Sequence, residues 1–183
     1  MSAPKRQISE ERERLAASLA ASLKGPGGGY QLSSAFSAPE RRRFLGLWSI
    51  AEHLVEGRDY LEIFAGTALR GAALAEPSYV SSYDFREAVC VKRVRIDGIA
   101  ELPEGRTPYS YRMSVAASWE IGRGFLLVRA ELGYQSTSLG GASAAVKELA
   151  AQGAASRVGY RFEDDGLVLE EGSDVKRLIR GGG

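Results

Sequence analysis

The sequence predicts an α+β fold in which one or two N-terminal helices precede a curved antiparallel sheet of about seven or eight strands, a barrel or half-barrel meander. Three observations carry this expectation. Tyr109, Tyr111, Met113, Val115, Ala117, Trp119 and Ile121 occupy every second position, with Ser110, Arg112, Ser114, Ala116, Ser118 and Glu120 between them, so the segment reads as a strand with one apolar face. After Gly122-Arg123-Gly124 the alternation resumes with Leu126, Val128, Ala130, Leu132 and Tyr134 on one side, which makes the pair a hairpin with a three-residue turn. Arms of about 40 Å, at roughly 3.3 Å per residue, are long enough to require twisting and curling. The tail, finally, is a tight meander: Val158 to Phe162, a turn at Asp164-Asp165-Gly166, Leu167 to Glu170, a turn at Gly172-Ser173, and Val175 to Ile179.

The remaining elements follow in chain order. Ser9 caps a helix over Glu10 to Lys24, with Glu10, Glu11 and Glu13 at its positive end and Gly25-Pro26 as its stop. Its apolar stripe, Leu15, Leu19 and Leu23, is thin, so residues 1–29 read as a helical arm and flexible joint, and residues 30–183 as the curved-sheet domain. Ser37-Ala38-Pro39-Glu40 has the form of a capping box, and Phe44, Leu47, Trp48, Ala51, Leu54 and Val55 follow at helical spacing, which predicts a helix from Ala38 to Glu56. Leu45 to Ile50 also fits a strand with glycine two residues before tryptophan. Leu61, Ile63, Ala65, Thr67 and Leu69 predict a strand, as do Tyr79, Tyr83, Phe85, Val89 and Val91, with a bulge near Lys92 where the phase moves to Val94 and Ile96 and a close at Asp97-Gly98. Ala142 to Gln152 reads as a short helix or turn-helix.

Composition narrows the function classes. With 183 residues, 44% hydrophobic and 26% charged, the chain lies in the ordinary globular range. Lys plus Arg (24) nearly balances Asp plus Glu (23), so there is no field to gather nucleic acid. No apolar run has the length of a membrane helix, and Met1 to Glu13 is charged where a secretory signal would be apolar, so a cytoplasmic protein is expected; an exported chain whose signal has been removed is the alternative. Cys90 is the single cysteine and His53 the single histidine, which removes a disulfide framework and the usual zinc ligand sets, and no metal or cofactor is expected. Phosphate-binding loops, dinucleotide-binding glycine patterns and nucleophile elbows are missing.

Candidate functional residues come from the aromatic stripe. Tyr83, Phe85, Tyr109, Tyr111, Met113 and Trp119 share the inward face, and the tyrosine hydroxyls require partners if buried. The stripe reads either as the lining of a small-molecule pocket or as plain core. The pocket reading takes Trp48, Tyr83, Phe85, Tyr111, Met113 and Trp119 as ligand-binding residues. Glu87, in phase with that face, and His53, on the polar side of the expected second helix, are the available general bases. Arg41-Arg42-Arg43 falls in the first turns of that helix and is either solvated charge or a contact for an anionic partner.

Gly46-Leu47-Trp48, followed by a strand meander and then Arg177 or Arg180, resembles the lipocalin-type, or calycin, pattern. The resemblance implies an up-and-down barrel closed at one end by the tryptophan packed on the late arginine, with a mouth that takes up small hydrophobic ligands. The order of helix then curved sheet is also similar to the cone of the ketosteroid-isomerase-like superfamily, which implies an acid-base enzyme or a binder. The leading expectation is a non-enzymatic protein that binds a small apolar ligand. The alternatives are an adaptor assembling as a homo-oligomer through residues 10–24 and a sheet edge, and a cone-shaped isomerase or lyase.

Overall fold

The computed structural model describes residues 38–141, 145–149 and 155–181. The expected arm helix and its oligomer contact lie outside these residues. The chain enters as a short helix, α1 (Ala38–Phe44), and passes directly into β1 (Gly46–Val55) and β2 (Arg58–Asp59). A second helix, α2 (Tyr60–Ala68), precedes β3 (Ala73–Phe85), β4 (Val89–Leu102) and β5 (Gly105–Gly122). Then come β6 (Phe125–Leu139), β7 (Ala145–Leu149), β8 (Ser156–Glu163), β9 (Gly166–Glu171) and β10 (Asp174–Arg180).

The strands pair in the order β10-β9-β8-β6-β5-β4-β3-β1, and β10 also pairs with β1, so eight antiparallel strands close into a barrel. Closure removes the two free edges that an open sheet would present. β2 and β7 are appended, to β1 and β6 respectively. β6 serves two partners along its length: Phe125 to Val128 pair with β8, and Gly133 to Thr137 pair with β7. No helix among the described residues is long and apolar enough to cross a membrane.

Three expected elements are corrected. The helix expected over Ala38 to Glu56 stops at Phe44, because Gly46 turns with φ 111° and the strand it opens finds partners on both edges, Gly46 to Ser49 on β3 and Trp48 to Val55 on β10. Pairing on two edges outweighs a helical period that the same apolar residues also satisfy. The strand expected from Leu61 is instead α2: Asp59 caps it, its carboxylate accepting from the Leu61 amide at 2.7 Å. The Tyr60 and Phe64 pair, four residues apart, then faces one way, an alignment that alternation concealed. The segment expected as a helix after Ala142 carries β7 over Ala145–Leu149, laid against β6.

Register decides which side chains are inside, and two single-residue bulges reverse it. On β1, Ile50 faces Leu178 and Glu52 faces Arg177, leaving Ala51 unpaired. Glu52 is thereby turned outward, 3.0 Å from Arg177, and His53 inward. On β6, Ala116 faces Leu132 and Ala117 faces Ala130, leaving Glu131 as the extra residue. Leu126, Val128 and Ala130 point inward as expected, but beyond the bulge the inner positions are Gly133, Gln135 and Thr137, with Leu132 and Tyr134 outside. The bulge expected near Lys92 does not occur. The phase changes in the turn at Arg86 to Ala88, so Cys90, Lys92, Val94 and Ile96 point inward and Val89 and Val91 outward; the irregularity lies on β3, where Glu76 and Pro77 oppose Gly98. β4 runs on to Leu102, past Asp97-Gly98, and the β5–β6 turn is the two residues Arg123 and Gly124, since Gly122 already pairs with Phe125.

The main core fills the end of the barrel where β1 begins. Phe44, fully buried, sits among Trp48, Phe85, Trp119, Leu126, Leu167 and Leu178. Its ring meets Tyr160 and Phe162 edge-on at 4.9 Å and lies tilted against Phe85 at 5.5 Å and Trp119 at 5.6 Å. A smaller cluster at the opposite end joins Leu69, Ala100 and Tyr109 to Phe64 of α2. Phe44→Ala should cost about 3–5 kcal/mol, since no neighbouring ring can move into the space, and urea unfolding should show the midpoint falling at constant slope.

Candidate functional site

The lower end of the barrel is sealed by aromatic rings and arginines. Trp48 Nε1 donates to the Phe44 carbonyl at 2.6 Å, and Trp119 Nε1 donates to the Arg86 carbonyl at 2.8 Å, so both indoles are satisfied while buried. The Arg180 guanidinium lies 4.1 Å from the Trp48 ring centre, directly opposite it across the β1–β10 pair, and donates to the carbonyls of Leu45 and Arg43. Gly46 permits this: a Cβ there would sit 3.2 Å from Arg180 Nη1. Arg41 covers Trp119 at 4.3 Å and donates to the Glu87 carbonyl, and Arg43 covers Phe162 at 3.9 Å. Because α1 is so short, the arginine run falls in its last turn, where cations suit the dipole.

Further up the lumen the lining becomes polar. His53, expected on a helix surface, is buried in β1 and stacks on Tyr60 of α2 at 4.1 Å. Its Nε2 is 2.9 Å from Asp174 Oδ1 and its Nδ1 is 2.8 Å from the Tyr79 hydroxyl. Burial pushes the Asp174 carboxyl up, but the hydrogen bonds from His53 and Lys176 and their charges outweigh it and hold the group at about 2. An ionised Asp174 can only accept, so Nε2 carries a proton and donates to it, while Nδ1 is paired with the Tyr79 hydroxyl. Lys176 Nζ lies 2.5 Å from Asp174 Oδ2, giving the carboxylate a donor on each oxygen. With both nitrogens engaged, His53 has no atom left to take a substrate proton. It joins β1, β3, β10 and α2 instead.

Between this belt and the aromatic floor stand Tyr83 and Lys92, on adjacent strands and directly opposite each other. The Lys92 ammonium is 5.6 Å from the Tyr83 ring centre. Protein surrounds Tyr83 so fully that burial drives its hydroxyl well above the usual range, yet the side chain keeps accessible surface. Lys92 is in the same position; burial first, and the charge of Lys176 second, bring its ammonium down to about 8. Both side chains face inward and are partly accessible.

The six residues expected to line a pocket therefore divide into two levels. Trp48, Phe85 and Trp119 are packed into the closed end with Phe44. Tyr83, Tyr111 and Met113 lie above them on the same inner wall and are partly accessible, Tyr111 donating to Gln135 Oε1 at 3.3 Å and packing on Phe64 of α2 at 5.1 Å. Glu87 does not join them: it lies exposed in the β3–β4 turn, because β3 ends at Phe85 and the inward phase ends with it. Lys92, Lys176 and Asp174 were not singled out from the sequence as site residues; two inward lysines on strands otherwise lined by apolar residues were the available signal. No protein-family model, curated protein or solved structure matches this chain.

The Asp174 network sets an acid limit on stability. Its folded value, about 2, lies below the ordinary 3.8, so its contribution is complete above about pH 4 and is lost as pH falls through about 2. Asp174→Asn should flatten that acid limb, by roughly 1–2 kcal/mol after allowing for its partial exposure, in melts recorded from pH 2 to 7.

Proposed function

We propose that this protein is a non-enzymatic binder of a small hydrophobic ligand, held in the barrel lumen above the aromatic floor. The observation that carries the reading is the partial accessibility of Tyr83 and Lys92, which face inward between the aromatic floor and the polar belt and are less fully packed than the floor residues below them. Tyr83, Tyr111 and Met113 form the wall of the site; Trp48, Phe85 and Trp119 form its floor. α2, lying against Tyr109 and Tyr111 through Phe64, covers the opposite end and is the element that must move for a ligand to enter.

Two further features support the reading. The barrel is up-and-down and filled at one end by the Phe44 cluster, the architecture that ligand-binding barrels share. Gly46-x-Trp48 with Arg180 stacked on the indole is similar to the closure of lipocalin-type barrels, in which the cup holds small apolar molecules. The acid-base alternative loses its candidates on geometry, since His53 is saturated and Glu87 is outside the lumen.

Titration with an uncharged environment-sensitive dye tests this. The wild-type protein should bind the dye with about 1:1 stoichiometry, and Tyr111→Ala should weaken binding by roughly tenfold with modest loss of stability, whereas Trp119→Ala should lose about 3–5 kcal/mol of folding free energy. Absence of dye binding to the folded wild type would remove the proposal.

A further inference from the structure

We infer that the ligand is an amphipathic monocarboxylic acid whose head is anchored by Lys92 beside Tyr83, with its tail running towards Met113 and Tyr111. This rests on the ligand-binding reading above and adds the chemistry of the ligand.

The charged groups inside the barrel are unevenly paired. Lys176 and Asp174 form an ion pair within the barrel, with His53 on the second carboxylate oxygen. Lys92 makes no ion pair or hydrogen bond among the described residues; its neighbours are the Tyr83 ring, the like charge of Lys176 and the Cys90 thiol, which burial keeps protonated. Asp174 is already committed, and Glu171 is exposed at the rim. With Asp174 bound to Lys176 and His53, and Glu171 opposite it at the exposed rim, Lys92 has no carboxylate in ion-pair contact among the described residues. Burying an ammonium without a counter-charge is unfavourable, and the ordinary remedies in a strand are a carboxylate partner or replacement by an apolar residue. Neither is present. A single carboxylate supplied by a ligand provides that partner, and the Tyr83 hydroxyl, which also makes no hydrogen bond among the described residues, offers a second donor on the same wall.

The apolar surroundings fix the rest of the molecule. Above Lys92 the inward positions Val94 and Ile96 on β4 are already packed, and the apolar side chains that keep accessible surface are Met113 and Tyr111 on β5 and Phe64 of α2. A chain or ring system lying there buries apolar surface while its acid group stays at Lys92. The depressed ammonium adds a thermodynamic signature: near pH 8 a part of the Lys92 population is neutral, and binding an anion returns it to the charged form. Ligand binding in that range takes up protons.

The test competes dodecanoic acid and 1-dodecanol against the uncharged dye on the full chain, for wild type and Lys92→Met. The acid should bind wild type about tenfold more tightly than the alcohol, and Lys92→Met should abolish that difference while leaving the alcohol unchanged. Calorimetry on the wild type at about pH 8 in buffers of different ionisation enthalpy should show proton uptake with the acid and none with the alcohol, a readout that needs no variant to fold. Equal affinity for acid and alcohol, equal weakening of both in Lys92→Met, or no proton uptake would overturn the acid-head inference and leave the hydrophobic-ligand reading standing. Failure of the dye and both probes to bind would overturn both.

Discussion

The pairing of β1 with β10 is the constraint from which the rest of the structure follows. These are the first and last barrel strands of the described chain, and their contact turns a meander of hairpins, each closed locally, into a tube with an inside. It is the pairing of largest sequence separation, so it carries the heaviest loop-closure cost and needs reinforcement beyond backbone hydrogen bonds. Arg180 supplies it, by stacking on Trp48 and binding the carbonyls of the segment that leads from α1 into β1. The same contacts place Phe44 in the floor. Closing the wall and plugging one end are therefore a single event, and the lumen above exists because both happen together.

Within the lumen the two ends obey different physics. The floor is held by ring packing, and its polar atoms are confined to indole nitrogens that reach backbone carbonyls. The upper belt is held by directional contacts, in which Asp174 gathers His53 and Lys176, and His53 in turn gathers Tyr79 and Tyr60. A satisfied polar network of this kind fixes positions at little net gain in stability. It holds Asp174 on Lys176 and away from Lys92, which is how a lumen containing a carboxylate still has a cation with no carboxylate in contact.

Much of the sheet was legible in the sequence because one face of each long strand is apolar and the other is not. The stripe from Tyr109 to Ile121 has the inward phase throughout, and the tail meander falls within a residue or two of its expected bounds, since tight turns announce themselves through Asp-Asp-Gly and Gly-Ser. Trp48 and Arg180 were legible as a pair only through a resemblance, as their meeting is a long-range contact. What alternation could not reveal was where it breaks. Glu131 has no composition that marks a bulge, so Leu132 was assigned to the wrong face, and His53 was assigned to a helix surface because the residues from Phe44 to Val55 also satisfy a helical period. The lysines were passed over for a related reason. Lys92 and Lys176 in a strand pattern look like solvated charge, and only the register of β4 and β10 shows them turned inward.

The bulges at Ala51 and Glu131 also bear on how such a chain can change over time. Because Ala51 and Glu131 are the extra residues in their pairings, losing either would straighten the strand and leave every other side chain on its present face. Without Ala51, Ile50 would still oppose Leu178 and Glu52 Arg177, with His53 inside; without Glu131, Ala130 would still oppose Ala117 and Leu132 Ala116. Substitutions can therefore retune this lumen gradually, one wall position at a time. A single deletion at either bulge is likewise absorbed by the wall, whereas one from a regularly paired stretch such as Lys92 to Ile96 would exchange inside for outside along the rest of that strand.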